Sequence, residues 1–152
     1  MIALNIPDIK NFMAKLLREP TFDNFELRSM IIDSFARFEI YGEKPPPEEE
    51  ESAAPKFSTW GIMRKYAFEI IKGEAAPRSL KLVFGLNSDK VSAGFPNSAA
   101  LFLNIHFEGG KITVISGQSP KSFSLDKQDE EKWDGAIKAF FTKNNIDFSD
   151  NI

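Results

Sequence analysis

Hydrophobic residues recur along the chain at two spacings. After Pro7, Asp8 can cap a helix in which Ile9, Phe12, Met13, Leu16 and Leu17 follow at helical intervals, until Pro20 ends it. Two strand-like runs come next. In Phe25–Asp33, one alternating set is Phe25, Leu27, Ser29 and Ile31, and the other is Glu26, Arg28, Met30 and Ile32. Both sets contain apolar residues, so the pattern does not select a core face. Phe35–Tyr41 alternates more plainly and is closed by Gly42. Ser58 or Thr59 then caps a helix with Trp60, Met63, Ala67, Ile70 and Ile71 on its inner stripe and Gly73 at its end. Leu80, Leu82, Phe84 and Leu86 mark a strand, and residues 87–98 read as a polar connection.

The firmest local signal lies between two alternating runs, Leu101–Phe107 and Ile112–Ser116. They flank Glu108-Gly109-Gly110-Lys111, and a central Gly-Gly suits a two-residue turn with positive φ at both positions. That turn sets Phe107 opposite Ile112, His106 opposite Thr113, Ile105 opposite Val114 and Asn104 opposite Ile115. Leu101, Leu103, Ile105, Phe107, Ile112 and Val114 then share the apolar face. Ser122–Leu125 reads as a short edge strand. Asp126 or Asp129 caps a last helix with Trp133, Ala136, Ile137, Phe140 and Phe141 on one stripe, ended by Asn144 and Asn145. The expected fold is α+β, a largely antiparallel sheet of about five strands packed with three helices, in the order α-β-β-α-β-β-β-α.

Residues 43–56 interrupt this pattern. They hold four of the nine prolines and the run Glu48–Glu51. Such a segment buries too little apolar surface to offset its ordering entropy, so it reads as a mobile loop inside a single domain spanning 1–152.

Composition narrows the function classes. The chain has no cysteine, which excludes disulfides, thiolate metal sites and cysteine nucleophiles. Met1–Ile6 lacks the basic flank and long apolar run of a signal peptide, and no stretch is long and apolar enough to span a membrane, so the cytoplasm is the expected location. The net charge of -3 disfavours nucleic acid. A local excess of cations in 56–90, seven basic against three acidic residues, includes Arg64, Lys65, Lys72, Arg78 and Lys81, which cross a helix and a strand and read as lacking interleaved exposed aromatics.

Chemical motifs are sparse. His106 is the only histidine, and with no cysteine a transition-metal site has few ligands to draw on. Asp129, Glu130, Glu131 and Asp134 fall in the first turns of a helix, where carboxylates favour the positive dipole end, so no metal and no cofactor is expected. No Gly-x-Ser-x-Gly elbow or phosphate loop is present.

One surface stands out as a candidate site. Alternation and the turn register put Phe102, Asn104, His106, Thr113 and Ile115 on the face opposite the apolar set, with Lys81 joining if its strand is a neighbour. The leading function is a non-catalytic binding or regulatory domain with a protein partner or small polar ligand. The alternative is an enzyme acting on a small polar substrate through His106, and the third is a weak nucleic-acid binder.

Leu101-Phe102-Leu103-Asn104-Ile105, Phe123-Ser124-Leu125-Asp126-Lys127 and Trp133-Asp134 resemble a family of short uncharacterised clostridial (Firmicutes) proteins. The opening Asp8-Ile9-Lys10 with Phe12-Met13 and Lys15-Leu16-Leu17, and then Thr21–Phe25, is similar as well. The resemblance implies a stand-alone bacterial cytoplasmic protein and carries no assigned activity or catalytic residues.

Overall fold

The computed structural model describes residues 1–46, 54–73 and 77–150. Half of the segment 43–56 for which mobility is expected, residues 47–53, lies outside the described residues. At the described ends of that segment Glu43 pairs with Phe57, and the Lys44 amide donates to the Lys56 carbonyl at 2.7 Å.

Seven strands form one sheet in the order β3-β2-β4-β5-β6-β1-β7, every neighbouring pair antiparallel. They are β1 (Ala3–Ile6), β2 (Glu26–Asp33), β3 (Arg37–Tyr41), β4 (Ser79–Gly85), β5 (Ser98–Glu108), β6 (Lys111–Pro120) and β7 (Ser149–Asp150). The helices are α1 (Ile9–Leu17), α2 (Trp60–Ile71), α3 (Ser88–Gly94) and α4 (Gln128–Lys143), with a short 3₁₀ turn at Pro20–Phe22. The α+β class and the antiparallel sheet agree with the sequence pattern. The counts do not: among the described residues seven strands and four helices replace about five and three, and the first element is a strand.

Each difference has a physical origin. β1 is four residues long, too short for its alternation to register. It is held by long-range pairing, with Ala3 opposite Ile115 and Ile6 opposite Ile112. α3 buries only Val91, so it shows no apolar stripe, yet the Asn87 side chain caps it by accepting from the Asp89 amide. Ser122–Leu125 is not a strand. β6 continues to Pro120 instead, and Phe123 and Leu125 project into solvent. Of the two expected caps of the last helix, Asp126 accepts from the Gln128 amide at 2.9 Å but sits one residue before the cap position. Lys127 occupies the cap position, while Asp129 is buried and accepts from the Asn97 amide and the Ser98 hydroxyl, each at 2.9 Å.

The ambiguity of β2 resolves into a bulge. Leu27 faces Phe84, but Ser29 already faces Val83, so Arg28 is the extra residue. The bulge switches the phase of the strand. Leu27 before it and Met30 and Ile32 after it all enter the core, which is why both alternating sets carry apolar residues.

One hydrophobic cluster sits on the inner face of the sheet, beneath the helices. Phe12, Phe22, Phe84 and Phe141 are fully buried within it. Trp60 joins α2 to α1 through an indole N–H donated to the Leu16 carbonyl at 2.7 Å. α4 is fixed to the sheet by polar contacts as well: the Ser116 hydroxyl donates to Asp134 at 2.5 Å, and the Trp133 indole donates to the Phe102 carbonyl at 2.9 Å.

Candidate functional site

Gly109 and Gly110 have φ of 59° and 72°, so the hairpin turn and its register follow the sequence reading. From that register the outer face of the sheet assembles in rows. Lys81 lies opposite His106, His106 opposite Thr113, and Thr113 opposite Asn5. The next row runs Val83, Asn104, Ile115, Ala3, and the third runs Gly85, Phe102, Gly117. All six residues singled out from the sequence, Lys81, Phe102, Asn104, His106, Thr113 and Ile115, therefore share one face in three adjacent rows.

This face stands apart from the core. Ile31, Val83, Phe102 and Ile115 are half-buried by their neighbours, yet none packs against the hydrophobic cluster. The described helices bury their apolar residues in that cluster, on the other side. Antiparallel sheets commonly present one packed and one solvated face in this way.

The polar groups of the face are unequally engaged. Asn104 donates to the Ile115 carbonyl at 3.1 Å. The His106 side chain is 38% exposed, and its Nε2 lies 3.2 Å from Glu108 Oε2. That approach lacks hydrogen-bond alignment, and Nε2 is itself shielded from solvent without a partner. Lys81 is exposed and forms no ion pair among the described residues.

One end of the face carries a layer that alternation alone does not reveal. Arg28, displaced outward by the bulge, lays its guanidinium 3.8 Å from the centre of the Phe57 ring and 5.6 Å from that of Phe102. Its Nη2 donates to Glu26 Oε2 at 3.3 Å, while Nε is buried without a partner. Burial raises the Glu26 pKa above the usual carboxylate range, with Arg28 and Lys44 pulling the other way. Two glycines make room. A Cβ at Gly85 would lie 2.5 Å from Arg28 Nε, and one at Gly117 would lie 3.4 Å from Phe102 Cβ. Glycine inside a strand often marks such a close approach, and this was the available sequence signal for Arg28.

Other sequence candidates do not converge. Arg64 is held by Asp23 through two bonds of 2.8 and 3.0 Å, which raise its pKa, and Lys72 pairs with Glu69. Arg64 is on α2 and Lys72 caps its C-terminal end, whereas Lys81 lies on the outer face, so these cations form no common strip. Among the described residues no group of three metal-ligating side chains comes together, and no helix is long and apolar enough to cross a membrane.

A family model described as a family of unknown function, DUF5721, matches residues 15–149. No curated protein matches the chain, and no solved structure does.

Proposed function

We propose that the chain, which belongs to the DUF5721 family of unknown function, is a non-catalytic binding domain that docks a protein partner on the outer face of its sheet. The supporting observation is that the face is uncovered by any described helix, with half-buried Val83, Phe102 and Ile115 beside exposed Lys81. The three rows, with strands about 4.8 Å apart and rows about 7 Å apart, span roughly 550 Å². That is below the ~800 Å² each partner contributes to an ordinary interface and matches the smaller area of a transient one. Small ligands instead prefer concave sites; one described cavity, lined by Asn5, Lys111 and Thr113, reaches the edge of this face, but none is lined by Lys81, Asn104 or His106.

The chemistry of the partner follows from the charges. Arg28 is occupied by Glu26, whereas Lys81 has no ion-pair partner among the described residues. The partner therefore brings a carboxylate to Lys81 and apolar side chains to Val83 and Ile115. The geometry supports an enzymatic reading less: Glu108 Oε2 approaches His106 Nε2 to 3.2 Å without hydrogen-bond alignment, and Asn104 in the adjacent row is already bonded to a carbonyl. The setting we propose is the cytoplasm of a bacterial cell, which cell fractionation checks.

A photo-crosslinking residue placed at Thr113 or Lys81 tests the reading in the cells that make the protein. The expected result is one discrete protein adduct from both positions and none from Ala139, which is exposed on α4. His106→Ala should lower the yield while changing stability by no more than about 0.5 kcal/mol. Equal adducts from Ala139, or none from either face position, would refute the proposal.

A further inference from the structure

A cleft of about 220 Å³ opens on the helical side of the sheet, between α3, α4 and the segment leading into β2. It is separate from the outer face and does not depend on the proposal made for it. Its base is closed by Leu103 and Ile137, both buried. Its walls are Phe25, Leu86, Trp133 and Phe140.

These walls are braced, which is why the space does not collapse. Phe25 stacks on Phe84 at 5.7 Å with an interplanar angle of 5°, and Phe140 stands edge-on to Phe25 at 5.5 Å. Trp133 is pinned by its indole bond to the Phe102 carbonyl and by edge-on contact with Phe95 at 6.0 Å. A cavity whose rings are already fixed loses little freedom when a ligand enters.

The rim is polar and of one sign. Lys90 is the only charged residue lining the cleft, is exposed, and makes no ion pair among the described residues. Asn24 and Thr21 add an amide and a hydroxyl beside it. A dry cavity of about 150 Å³ is known to hold one benzene ring, so this one accommodates a ring and a short arm.

We infer that the cleft binds a small aryl or short-chain carboxylate, with its apolar part against Trp133 and Phe140 and its carboxylate at Lys90. An apolar lining with a few placed polar groups is the usual make-up of such a site, and the lone cation complements an anion.

The probe is 3-phenylpropionate, titrated into the full chain while the two tryptophan indole N–H signals are followed by NMR. Saturable movement of the Trp133 signal, with Trp60 unmoved, is expected. Ala136→Phe, at an exposed rim position, should abolish it, and Asn24→Trp should do so from the other side of the mouth. Lys90→Met should weaken binding roughly tenfold and make 3-phenylpropan-1-ol bind as well as the acid. The unmoved Trp60 signal, from a fully buried ring, confirms folding of each variant. No saturable shift at millimolar probe, or binding unchanged in both blocked variants, overturns the site. Equal binding of acid and alcohol to the unaltered chain overturns the role of Lys90.

Discussion

Gly85→Ala should destabilise the protein, and should stop doing so once Arg28 is removed. The added Cβ would lie 2.5 Å from Arg28 Nε and 3.1 Å from Nη2, so the guanidinium has to leave its place. It then loses its stacking on Phe57 at 3.8 Å, an interaction worth about 0.5–2 kcal/mol. It also loses the bond to Glu26, an ion pair of the partly exposed kind worth up to ~1 kcal/mol. Against this, Gly→Ala at an ordinary backbone angle stabilises by about 0.4–1 kcal/mol through the unfolded chain. The terms sum to a change between about −0.5 and 2.6 kcal/mol in the native background, centred on a loss of about 1 kcal/mol. With Arg28→Ala present, the same substitution becomes neutral or stabilising. Urea unfolding of the four variants gives the coupling directly, expected at about 0.5–3 kcal/mol. An equal effect in both backgrounds would refute the claim that Gly85 exists to seat Arg28.

Four further outcomes are expected. Gly110→Val should cost about 1–2 kcal/mol in thermal or urea unfolding, for backbone reasons alone, because nothing lies within 4 Å of a Cβ there. Asp129→Ala should cost about 1.5–3 kcal/mol in the same assay by stranding the Asn97 amide and the Ser98 hydroxyl, with Asp129→Asn milder. Glu26 takes up its proton more readily in the folded state, so its contribution is fullest below the usual carboxylate range and is lost as pH rises to its raised value. Glu26→Gln should therefore gain stability relative to the native chain as pH climbs from the ordinary carboxylate range through the raised Glu26 value and level off above it, measured by urea unfolding at each pH. Replacing residues 45–55 with a short Gly/Ser loop should leave the melting temperature nearly unchanged, since loop-closure entropy depends weakly on length.

The parts of this molecule that were legible in the sequence are those where local chemistry and burial agree. Gly109-Gly110 set one hairpin, and the alternation on either side placed Asn104, His106, Thr113 and Ile115 on a common face. Lys81 joined them because β4 does pair with β5. What escaped depends on distant contacts. β1 is a strand because β6 and β7 lie beside it, and α3 is a helix with one buried residue and a cap. The Arg28 layer required a bulge that strand periodicity hides, and its second wall, Phe57, arrives from beyond the Pro/Glu segment. The cleft beneath α4 was invisible for the same reason: Trp133 and Phe140 read as core residues, and only packing shows that they leave a space.

The central claim is that the outer face is covered by a partner in the cell. Covalent labelling reads this directly, by comparing acylation of Lys81 in intact cells and on the purified chain, with Lys10 and Lys143, exposed on the helices, as internal standards. A covered face predicts that Lys81 is protected in cells, relative to those standards, and becomes reactive on purification. Equal relative labelling of Lys81 in both settings would contradict it.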